Sequence, residues 1–456
     1  MHITPELLRR YNQVGPRYTS YPTAVQFDGA FGADAYLRHL QQERENRKPL
    51  SVYMHLPFCE SKCLYCACNS TESPNHDKVS GPYLVRLVRE MGLVAGAMRT
   101  RREVAQLHLG GGTPTYHSPS ELNGLMGYFR SWFEFTPDAE LSVEVDPRVT
   151  SEEHLAVLAE QGFRRISLGV QDLDPAVQQA IGRVQSIEET ARVVEQARSL
   201  GFTSVNIDLI YGLPLQTLAS FRRTVDAVID LGADRSAIYS FAWVPSVQPH
   251  QKALNPATFP DADLKFQLLA QAREQFAEAG YEMIGIDHVA RSHDALAQAQ
   301  SRGTLHRNFM GYTIHRTESM IGLGLSSIGY VGGAYVQNTR KLSDYLRAID
   351  EGHLPVARGL ELSEDDRLRA RVIEELMCNG QVSGEVLRTR PGVTFGQHFA
   401  AELAAVKERC PELALVREDS IELTDLGRTF ARNVAMCFDA YLPRSGDEAR
   451  RYSQTV

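Results

Sequence analysis

Along residues 51–243, short apolar runs alternate with longer stretches in which apolar residues recur every three or four positions. The short runs predict strands, and the longer stretches predict amphipathic helices. Because neighbouring parallel strands need a crossover connection, this repeated pattern predicts a parallel sheet covered by helices. The six predicted strands are residues 51–56, 104–109, 141–145, 165–170, 204–210 and 236–243.

Local signals mark where the predicted helices begin and end. Thr150 followed by Glu153, and Ser186 followed by Glu189, match the capping box that opens a helix. Glycine often ends a helix in a left-handed conformation, and four glycines follow predicted helices: Gly162, Gly201, Gly232 and Gly280. Six strand–helix units predict an α/β fold, an open, partial (β/α)6 barrel with its chemistry at the C-terminal ends of the strands.

The pattern divides the chain into four predicted regions. These are an N-terminal arm (1–35), the barrel (36–280), a less regular extension that contributes to the active site (281–355), and a mostly helical, winged-helix-like C-terminal domain (356–456). The arm is rich in Tyr, Pro and Gly, so it suits neither a helix interior nor a strand. It is either a surface segment packed on the barrel or a lid whose Arg17 meets an anionic substrate.

Charge and hydropathy narrow the function classes. The formal net charge of −8 argues against a nucleic-acid-binding protein, which would carry a basic excess. Acidic residues scattered through the C-terminal domain favour packing over DNA binding there. No apolar run approaches the roughly 20 residues of a membrane span, and the first residues lack the pattern of an export signal. We therefore expect a cytoplasmic protein.

Four of the seven cysteines fall between residues 59 and 68. Cys59, Cys63 and Cys66 have the spacing Cys-x3-Cys-x2-Cys, which fits neither paired zinc knuckles nor the ferredoxin pattern. Three such thiolates can hold three irons of a 4Fe-4S cluster and leave the fourth iron open to a small chelating molecule. Structural zinc and incidental free thiols are the alternatives. Cys68 is either a non-ligand near the active site or an inert buried thiol.

Polar and glycine-rich segments follow the other predicted strands. A triglycine begins at Gly110, acidic groups appear at Glu144 and Asp146, and Asp208 lies within the fifth strand. Because parallel strands end at the same edge of a sheet, these segments predict a ligand site beside the cysteine loop. Further on, His306 and Arg307 could bind an anionic substrate, although a structural ion pair is an equal interpretation.

The cysteine spacing, with Tyr65 before the third cysteine, resembles the radical S-adenosylmethionine (SAM) superfamily. There, SAM chelates the open iron and is cleaved reductively to methionine and a 5′-deoxyadenosyl radical. The chain is similar over nearly its whole length to one family, the oxygen-independent coproporphyrinogen III oxidases of haem biosynthesis. The matching motifs include GPRYTSYPTA, HLPFC with its following cysteines, GGGTPTY, VEVDPR, GVQD, NIDLIYGLP, LHRNF and MCFDAYL.

This resemblance implies a set of roles. Cys59, Cys63 and Cys66 would ligate the 4Fe-4S cluster, and Cys68 and Tyr53 are candidate catalytic residues. Positions matching contacts to a first SAM are Tyr53, Gly111, Glu144 and Ile328. Positions matching contacts to a second SAM are Tyr65, Gly112, Thr113, Gln171, Arg183, Asp208 and Ala242.

The implied oxidoreductase reaction converts two propionates of coproporphyrinogen III to vinyl groups and gives protoporphyrinogen IX. The implied partners are an electron donor such as flavodoxin or ferredoxin and an electron acceptor, and the expected state is a monomer. Arg17 and Arg307 would suit a polyanionic substrate. The competing hypotheses are a haem chaperone or an anaerobic haem-degrading methyltransferase of the same superfamily, and a non-catalytic zinc-binding regulator.

Overall fold

The computed structural model describes residues 5–99, 102–387 and 394–442. The helices are α1 Pro5–Tyr11, α2 Ala33–Gln42, α3 His76–Met98, α4 Pro119–Trp132, α5 Glu152–Glu160, α6 Pro175–Ala180, α7 Ile187–Ser199, α8 Leu218–Asp230, α9 Ala262–Glu278, α10 Ala295–Ser301, α11 Leu342–Asp350, α12 Glu364–Asn379, α13 Phe395–His398, α14 Ala400–Arg409, α15 Asp425–Thr429 and α16 Ala431–Met436. The strands are β1 Leu50–Leu56, β2 Phe58–Cys59, β3 Thr71–Glu72, β4 Arg102–Gly111, β5 Phe133–Val145, β6 Arg165–Gln171, β7 Ser204–Tyr211, β8 Arg235–Ser240, β9 Tyr281–Ile284, β10 His288–Arg291, β11 His306–Asn308, β12 Gly311–Thr313, β13 Met320–Leu323, β14 Ile328–Val331, β15 Ala334–Asn338, β16 Val356–Glu361, β17 Gln381–Ser383, β18 Ala414–Val416 and β19 Ser420–Leu423.

The chain forms two compact units, each assembled from separate stretches of sequence. The larger unit contains residues 27–279 and 317–361, and the smaller contains residues 1–26, 280–316 and 362–456. The four-part division expected from the sequence stays a prediction. No helix among the described residues has both the length and the apolar character needed to cross a bilayer.

The larger unit is built on one sheet whose strands run in the order β16, β15, β14, β13, β1, β4, β5, β6, β7, β8. The seven strands from β13 to β8 are parallel, whereas β14, β15 and β16 add to the edge as an antiparallel meander. All six strands predicted from the sequence are present. The four strands at the β13 edge were not predicted, and glycines interrupt the apolar runs of three of them, β13, β14 and β16.

The central strands are buried on both faces, as expected for a parallel sheet covered by helices. In β1, Val52, Met54 and Leu56 have no exposed surface, and neither do Leu107 and Leu109 of β4. The sixth predicted strand ran too far, to residue 243, whereas β8 ends at Ser240. Beyond it the chain leaves the sheet, and the ring of Trp243 packs edge-on against Phe259.

Helix boundaries show one correct and one wrong prediction. Ser186 and Glu189 form the predicted capping box at the start of α7. The box that opens α5 is formed by Ser151 and His154, one residue later than predicted. Thr150 cannot serve as the cap because its hydroxyl donates to the carbonyl of Asp146 at 2.7 Å. The four glycines predicted to end helices all have positive φ angles, between 70° and 94°.

The smaller unit contains two antiparallel hairpins, β9–β10 and β11–β12, and a three-stranded sheet in the order β17, β19, β18. Helices α12 to α16 belong to the same C-terminal part of the chain as that sheet. The N-terminal arm belongs to this unit, and α16 holds its backbone. Arg432 donates to the carbonyls of Gly15 and Pro16, the latter at 2.8 Å, and Asn433 donates to the carbonyl of Tyr11 at 2.9 Å.

Candidate cluster and cofactor site

The cysteine loop leaves the C-terminal end of β1, the central strand of the larger unit. Cys59 ends the short strand β2, which pairs in parallel with β3 just after Cys68. The backbone closes on itself in two places: the amide of Ser73 donates to the carbonyl of Cys59 at 2.9 Å, and that of Cys66 to Cys63 at 3.2 Å. The three candidate ligands therefore lie on one compact loop.

Side chains of residues 248–251, in the segment after β8, bind backbone carbonyls of this loop. Gln248 donates to the carbonyl of Ala67 at 2.8 Å, and a ring nitrogen of His250 lies 2.9 Å from the carbonyl of Cys66. Gln251 donates to the carbonyl of Tyr65 at 2.9 Å. The loop is thus held by contacts that leave its sulfur atoms available.

The triglycine at the C-terminal end of β4 contacts the start of the cysteine loop. The amides of Gly112 and Thr113 donate to the carbonyls of Leu56 and Phe58, both at 2.8 Å. A Cβ on Gly112 would lie 2.6 Å from the carbonyl oxygen of Phe58, which no side chain tolerates. Gly111 has a φ of +120°, and a Cβ there would lie 2.6 Å from the His55 ring. Glycine is required at both positions for this close approach.

Two guanidinium groups face the thiol of Cys63, which is buried. The Nη1 atom of Arg183 lies 3.5 Å from this sulfur, and the Nη2 atom of Arg148 lies 3.8 Å from it. Asp146 binds both arginines, at 2.9 Å and 2.7 Å. Burial opposes ionisation of Asp146, but the two arginines outweigh it and lower its pKa. The group leaves a net positive charge beside the sulfur.

The remaining thiols of the loop have different surroundings. Burial raises the pKa of Cys59 to about 11, although Thr113 donates a hydrogen bond to its sulfur at 3.5 Å. A hydrogen bond from Cys68 lowers the pKa of Cys66 to about 6, and the same contact raises the pKa of Cys68. Cys68 contacts Cys66 and is exposed, so the inert buried thiol considered from the sequence is wrong.

A single-ion metal site has no ligand set in the described part of the chain. No three His, Cys, Asp or Glu side chains there are arranged to hold one metal ion. Structural zinc takes four ligands around one ion. The same finding covers the three thiols of the cysteine loop, so it does not separate zinc from a cluster.

The candidates for the first SAM lie in a row across neighbouring strands. Tyr53 of β1 is opposite His108 of β4, and their rings stack with centroids 5.9 Å apart. The other neighbour of Tyr53 is Gly322 of β13, whose Cβ would lie 2.6 Å from the carbonyl of Ile328. His108 in turn contacts Glu144 of β5, with 3.3 Å between its Nε2 atom and the carboxylate.

Glu144 is held as an oriented anion. Its carboxylate accepts a hydrogen bond from the amide of Gly111 at 3.0 Å as well as the contact from His108. Desolvation opposes its ionisation, but these groups lower its pKa below the usual value. An ionised carboxylate at the end of a barrel strand can accept hydrogen bonds from an ammonium or a ribose hydroxyl.

The candidates for the second SAM meet in small groups. A Cβ on Gly169 would lie 3.0 Å from the amide nitrogen of Gln171 and 3.2 Å from Arg183, so both side chains cover this glycine. Gly169 pairs with Asp208, which accepts from Asn206 at 2.7 Å.

The backbone carbonyls of Tyr65 and Ala242 share one donor, the amide of Gln251, at 2.9 Å and 3.2 Å. Gly112 and Thr113 complete the set beneath Cys59. Every candidate cluster and SAM residue thus belongs to the larger unit.

The residues considered for an anionic substrate belong to the smaller unit. Arg307 binds the carboxylate of Asp287 at 3.3 Å and donates to the carbonyl of Arg17 at 3.1 Å. Burial opposes ionisation of Asp287, but Arg307 and His288 lower its pKa well below the usual value. His306 contacts Glu374 at 3.2 Å. Arg307 thus makes a structural ion pair, the second of the two interpretations considered from the sequence, and His306 has a carboxylate partner.

Several site residues were missed by sequence reasoning. His55 binds the hydroxyl of Tyr53 at 2.9 Å and the carbonyl of Asn69 at 3.0 Å, so it ties β1 to the cysteine loop. His55 and Arg148 lie inside the motifs HLPFC and VEVDPR, and His108 lies just before GGGTPTY, but none of the three was named as a site residue. His108 could have been found from the sequence, because a single polar residue between two apolar strand residues, here Leu107 and Leu109, indicates a functional side chain.

Comparisons with known proteins agree with this geometry. Residues 53–228 match the model of the radical SAM superfamily. The oxygen-independent coproporphyrinogen III oxidase of Pseudomonas aeruginosa is 44% identical over 455 residues, 99% of this chain and 98% of that protein. The enzyme of the same name from Escherichia coli is 39% identical over 451 residues, with the same coverage.

A solved structure extends the likeness to three dimensions. The coproporphyrinogen III oxidase of Escherichia coli, described as a radical SAM enzyme, superimposes with a TM-score of 0.89 and 39% identity. The match covers 93% of this chain and 98% of the solved chain. The predicted fold class is therefore confirmed. Identity of this extent, over nearly the full length of several relatives, shows that the chain belongs to the oxygen-independent coproporphyrinogen III oxidase family of the radical SAM superfamily.

Proposed function

We propose that this chain oxidises coproporphyrinogen III without oxygen, converting two propionate side chains to vinyl groups and giving protoporphyrinogen IX. Each propionate loses one hydrogen atom, carbon dioxide and one electron. The observation that carries the proposal is the cysteine loop, whose start at Leu56 and Phe58 is held against a triglycine turn, in a chain that matches named oxidases almost from end to end.

The residues present fit a 4Fe-4S cluster. Cys59, Cys63 and Cys66 would be its ligands, and the guanidinium groups of Arg148 and Arg183 beside Cys63 would balance its negative charge. A cavity lies next to Cys59 and is lined also by Thr113 and Arg148. When bound, the cluster and SAM supply one-electron chemistry that removes a hydrogen atom from an unactivated carbon.

The chain's own residues would bind and orient SAM. Glu144, held by His108 and the amide of Gly111, offers an ionised acceptor to the first SAM beside Tyr53 and Ile328. Asp208, oriented by Asn206, offers an acceptor to the second SAM. The guanidinium of Arg183 suits a carboxylate, because it is charged and already fixed by Asp146.

The proposal also assigns catalytic residues, substrate-binding residues and electron-transfer partners. Tyr53 and Cys68 are the catalytic candidates, and Arg17 and Arg307 are the candidates for the substrate propionates. The protein acts as a cytoplasmic monomer, receives electrons from a flavodoxin or ferredoxin, and passes the substrate electron to a separate acceptor. The net charge of −8 supports the exclusion of nucleic acid as a partner.

The test is anaerobic reconstitution with iron and sulfide, followed by incubation with SAM, a reductant and coproporphyrinogen III. We expect loss of two carbon dioxide per substrate and formation of protoporphyrinogen IX. Cluster formation and SAM cleavage without this product would contradict the proposal. Tight haem binding without turnover would instead support the chaperone hypothesis, and methyl transfer to haem would support the methyltransferase. The names of the near-full-length relatives favour the oxidase.

A further inference from the structure

A buried carboxylate outside the candidate site binds the turn that precedes Ile328, one of the candidate SAM residues. Glu90 lies on α3 and is only 1% exposed. Three donors surround its two oxygens: the amide of Gly324 at 2.7 Å, the hydroxyl of Tyr345 at 2.7 Å and the side-chain amide of Asn338 at 2.6 Å. A buried acid normally costs stability unless it is fully hydrogen-bonded. None of the chemistry proposed above uses this group.

Glu90 and Asn338 together bind both backbone groups of one residue in the turn between β13 and β14. Glu90 accepts from the amide of Gly324, and Asn338 donates to the carbonyl of the same residue at 2.9 Å. The turn contains two left-handed residues, Gly324 with φ +93° and Ser326 with φ +59°. A non-glycine residue in this conformation is strained and persists only when its surroundings determine it.

Tyr83, two helical turns before Glu90 on the same face of α3, connects this turn to β1. Its hydroxyl accepts from the amide of Leu325 at 3.0 Å and donates to the carbonyl of His55 at 2.7 Å. A Cβ on Gly324 would lie 2.6 Å from that carbonyl, so the turn and the end of β1 are in direct contact. The side chain of His55 in turn binds the hydroxyl of Tyr53.

The network therefore reaches the candidate SAM site from two directions. The turn held by Glu90 leads into Ile328, and Tyr83 leads through His55 to Tyr53. We propose that Glu90 is a positioning residue for the first SAM, fixing the turn 324–327 so that Ile328 and Tyr53 keep the spacing that the ligand needs. This inference rests on the proposed function, since both residues are candidates for SAM contact there.

Glu90→Gln is the sharpest variant, because it keeps the size of the side chain. The NH2 group of the glutamine must face either the backbone N–H of Gly324 or the side-chain NH2 of Asn338. Two hydrogen-bond donors then face each other, and one of the three hydrogen bonds is lost. We expect the KM for SAM to rise about tenfold, the factor that corresponds to about 1.4 kcal/mol, with kcat changed much less. Glu90→Ala removes the acceptor of all three hydrogen bonds and should raise the KM for SAM further.

A readout without cofactor separates positioning from general stability. In cluster-free protein, hydrogen exchange of the amides of Gly324 and Leu325 should be faster in Glu90→Gln than in the wild type. Met91→Ala, a fully buried neighbour on the same helix, is the matched control. It should lower the thermal midpoint but leave both the exchange of this turn and the KM for SAM within twofold of the wild-type values.

The outcomes distinguish the two levels of inference. A Glu90→Gln protein with a lowered thermal midpoint, an unchanged KM for SAM and unchanged exchange at Gly324 would show that Glu90 is merely structural. If Glu90→Ala fails to fold, the isosteric variant still decides the question. A wild-type protein that holds a cluster but does not cleave SAM would contradict the proposed function instead.

Discussion

The cysteines of the loop differ in their immediate surroundings. Cys63 faces two guanidinium groups and Cys66 has a lowered pKa, whereas Cys68 donates a hydrogen bond to Cys66. The two guanidinium groups beside Cys63 would offset the negative charge of a bound cluster, and Cys68 is the exposed cysteine of the loop.

We expect Cys59→Ala, Cys63→Ala and Cys66→Ala each to abolish the cluster and all SAM cleavage. Cys68→Ala should keep the cluster and SAM cleavage but reduce formation of the vinyl product. Iron and sulfide content, visible absorbance and the yield of methionine measure these effects. Cys437→Ala, far from the loop in sequence, is the control and should match the wild type. Loss of the cluster in Cys68→Ala would make that residue a ligand.

Glu90 also predicts a pH dependence of stability. Burial raises its pKa from 4.5 to about 7, against the opposing effect of its three donors. The folded protein therefore keeps a proton that the unfolded chain releases, and this stabilises the fold most below pH 4.5. The contribution is lost as the pH rises to about 7, by about 3 kcal/mol in all. The titratable groups that face it, Tyr36, Tyr83 and Tyr345, have raised pKa values and stay neutral in this range.

Urea unfolding of the cluster-free wild type and Glu90→Gln, measured across this pH range, checks the effect. The free energy of unfolding of the wild type should fall relative to the variant between pH 4.5 and about 7. Taking the difference between the two proteins removes the contributions of the other carboxylates. A difference that stays constant over the whole range would contradict the prediction.

At the scale of elements, the turn after β4 sets the position of the cysteine loop. In Gly112→Ala the added Cβ would overlap the carbonyl of Phe58, so the loop must move. We expect the variant to fold with a loss of about 1–3 kcal/mol and to take up little iron after reconstitution. Gly124→Ala is the control, because a Cβ there meets nothing within 4 Å. Normal iron content in Gly112→Ala would show that the contact is not required.

One helix of the smaller unit, α16, binds the backbone of the N-terminal arm. Arg432 is 6% exposed and donates to two consecutive carbonyls of the arm. Arg432→Met keeps most of the buried volume but removes these charged hydrogen bonds, each of which contributes about 1.5–3 kcal/mol. Hydrogen exchange in residues 12–18 should therefore become faster. Arg10→Ala, which breaks an exposed ion pair with Glu412, should change it little. Equal exchange in both variants would contradict this role for Arg432.

Elements with strong local signals were predictable, and those formed by distant partners were not. The six parallel strands and the capping box at Ser186 follow from apolar runs and a four-residue motif. The box at α5 was misplaced because Thr150 and Ser151 are both suitable caps, and only the bond from Thr150 to Asp146 decides between them. Strands β13 to β16 are short, and their identity comes from pairing with β1 and with one another.

At the scale of the whole molecule, motifs indicated the chemistry but not how the site is supported. The cysteine spacing and the family resemblance named the candidate ligands and SAM contacts. Glu90 and Tyr83 carry no motif, and their importance comes only from partners more than 200 residues away, at Gly324 and Leu325. A sequence read without its fold cannot bring such partners together, because the register of β1 and β13 determines them.

The pairing of β1 with β13 also has a consequence for biosynthesis. A ribosome releases β1 and the cysteine loop early, whereas Met320–Leu323 and the turn that follows emerge much later. During that interval one edge of β1 has no neighbour from its own chain, and an open strand edge can pair with another polypeptide. The nascent chain is thus most prone to aggregate while its thiols are already exposed. The cofactor pocket is complete only after β13 has been synthesised and has paired with β1.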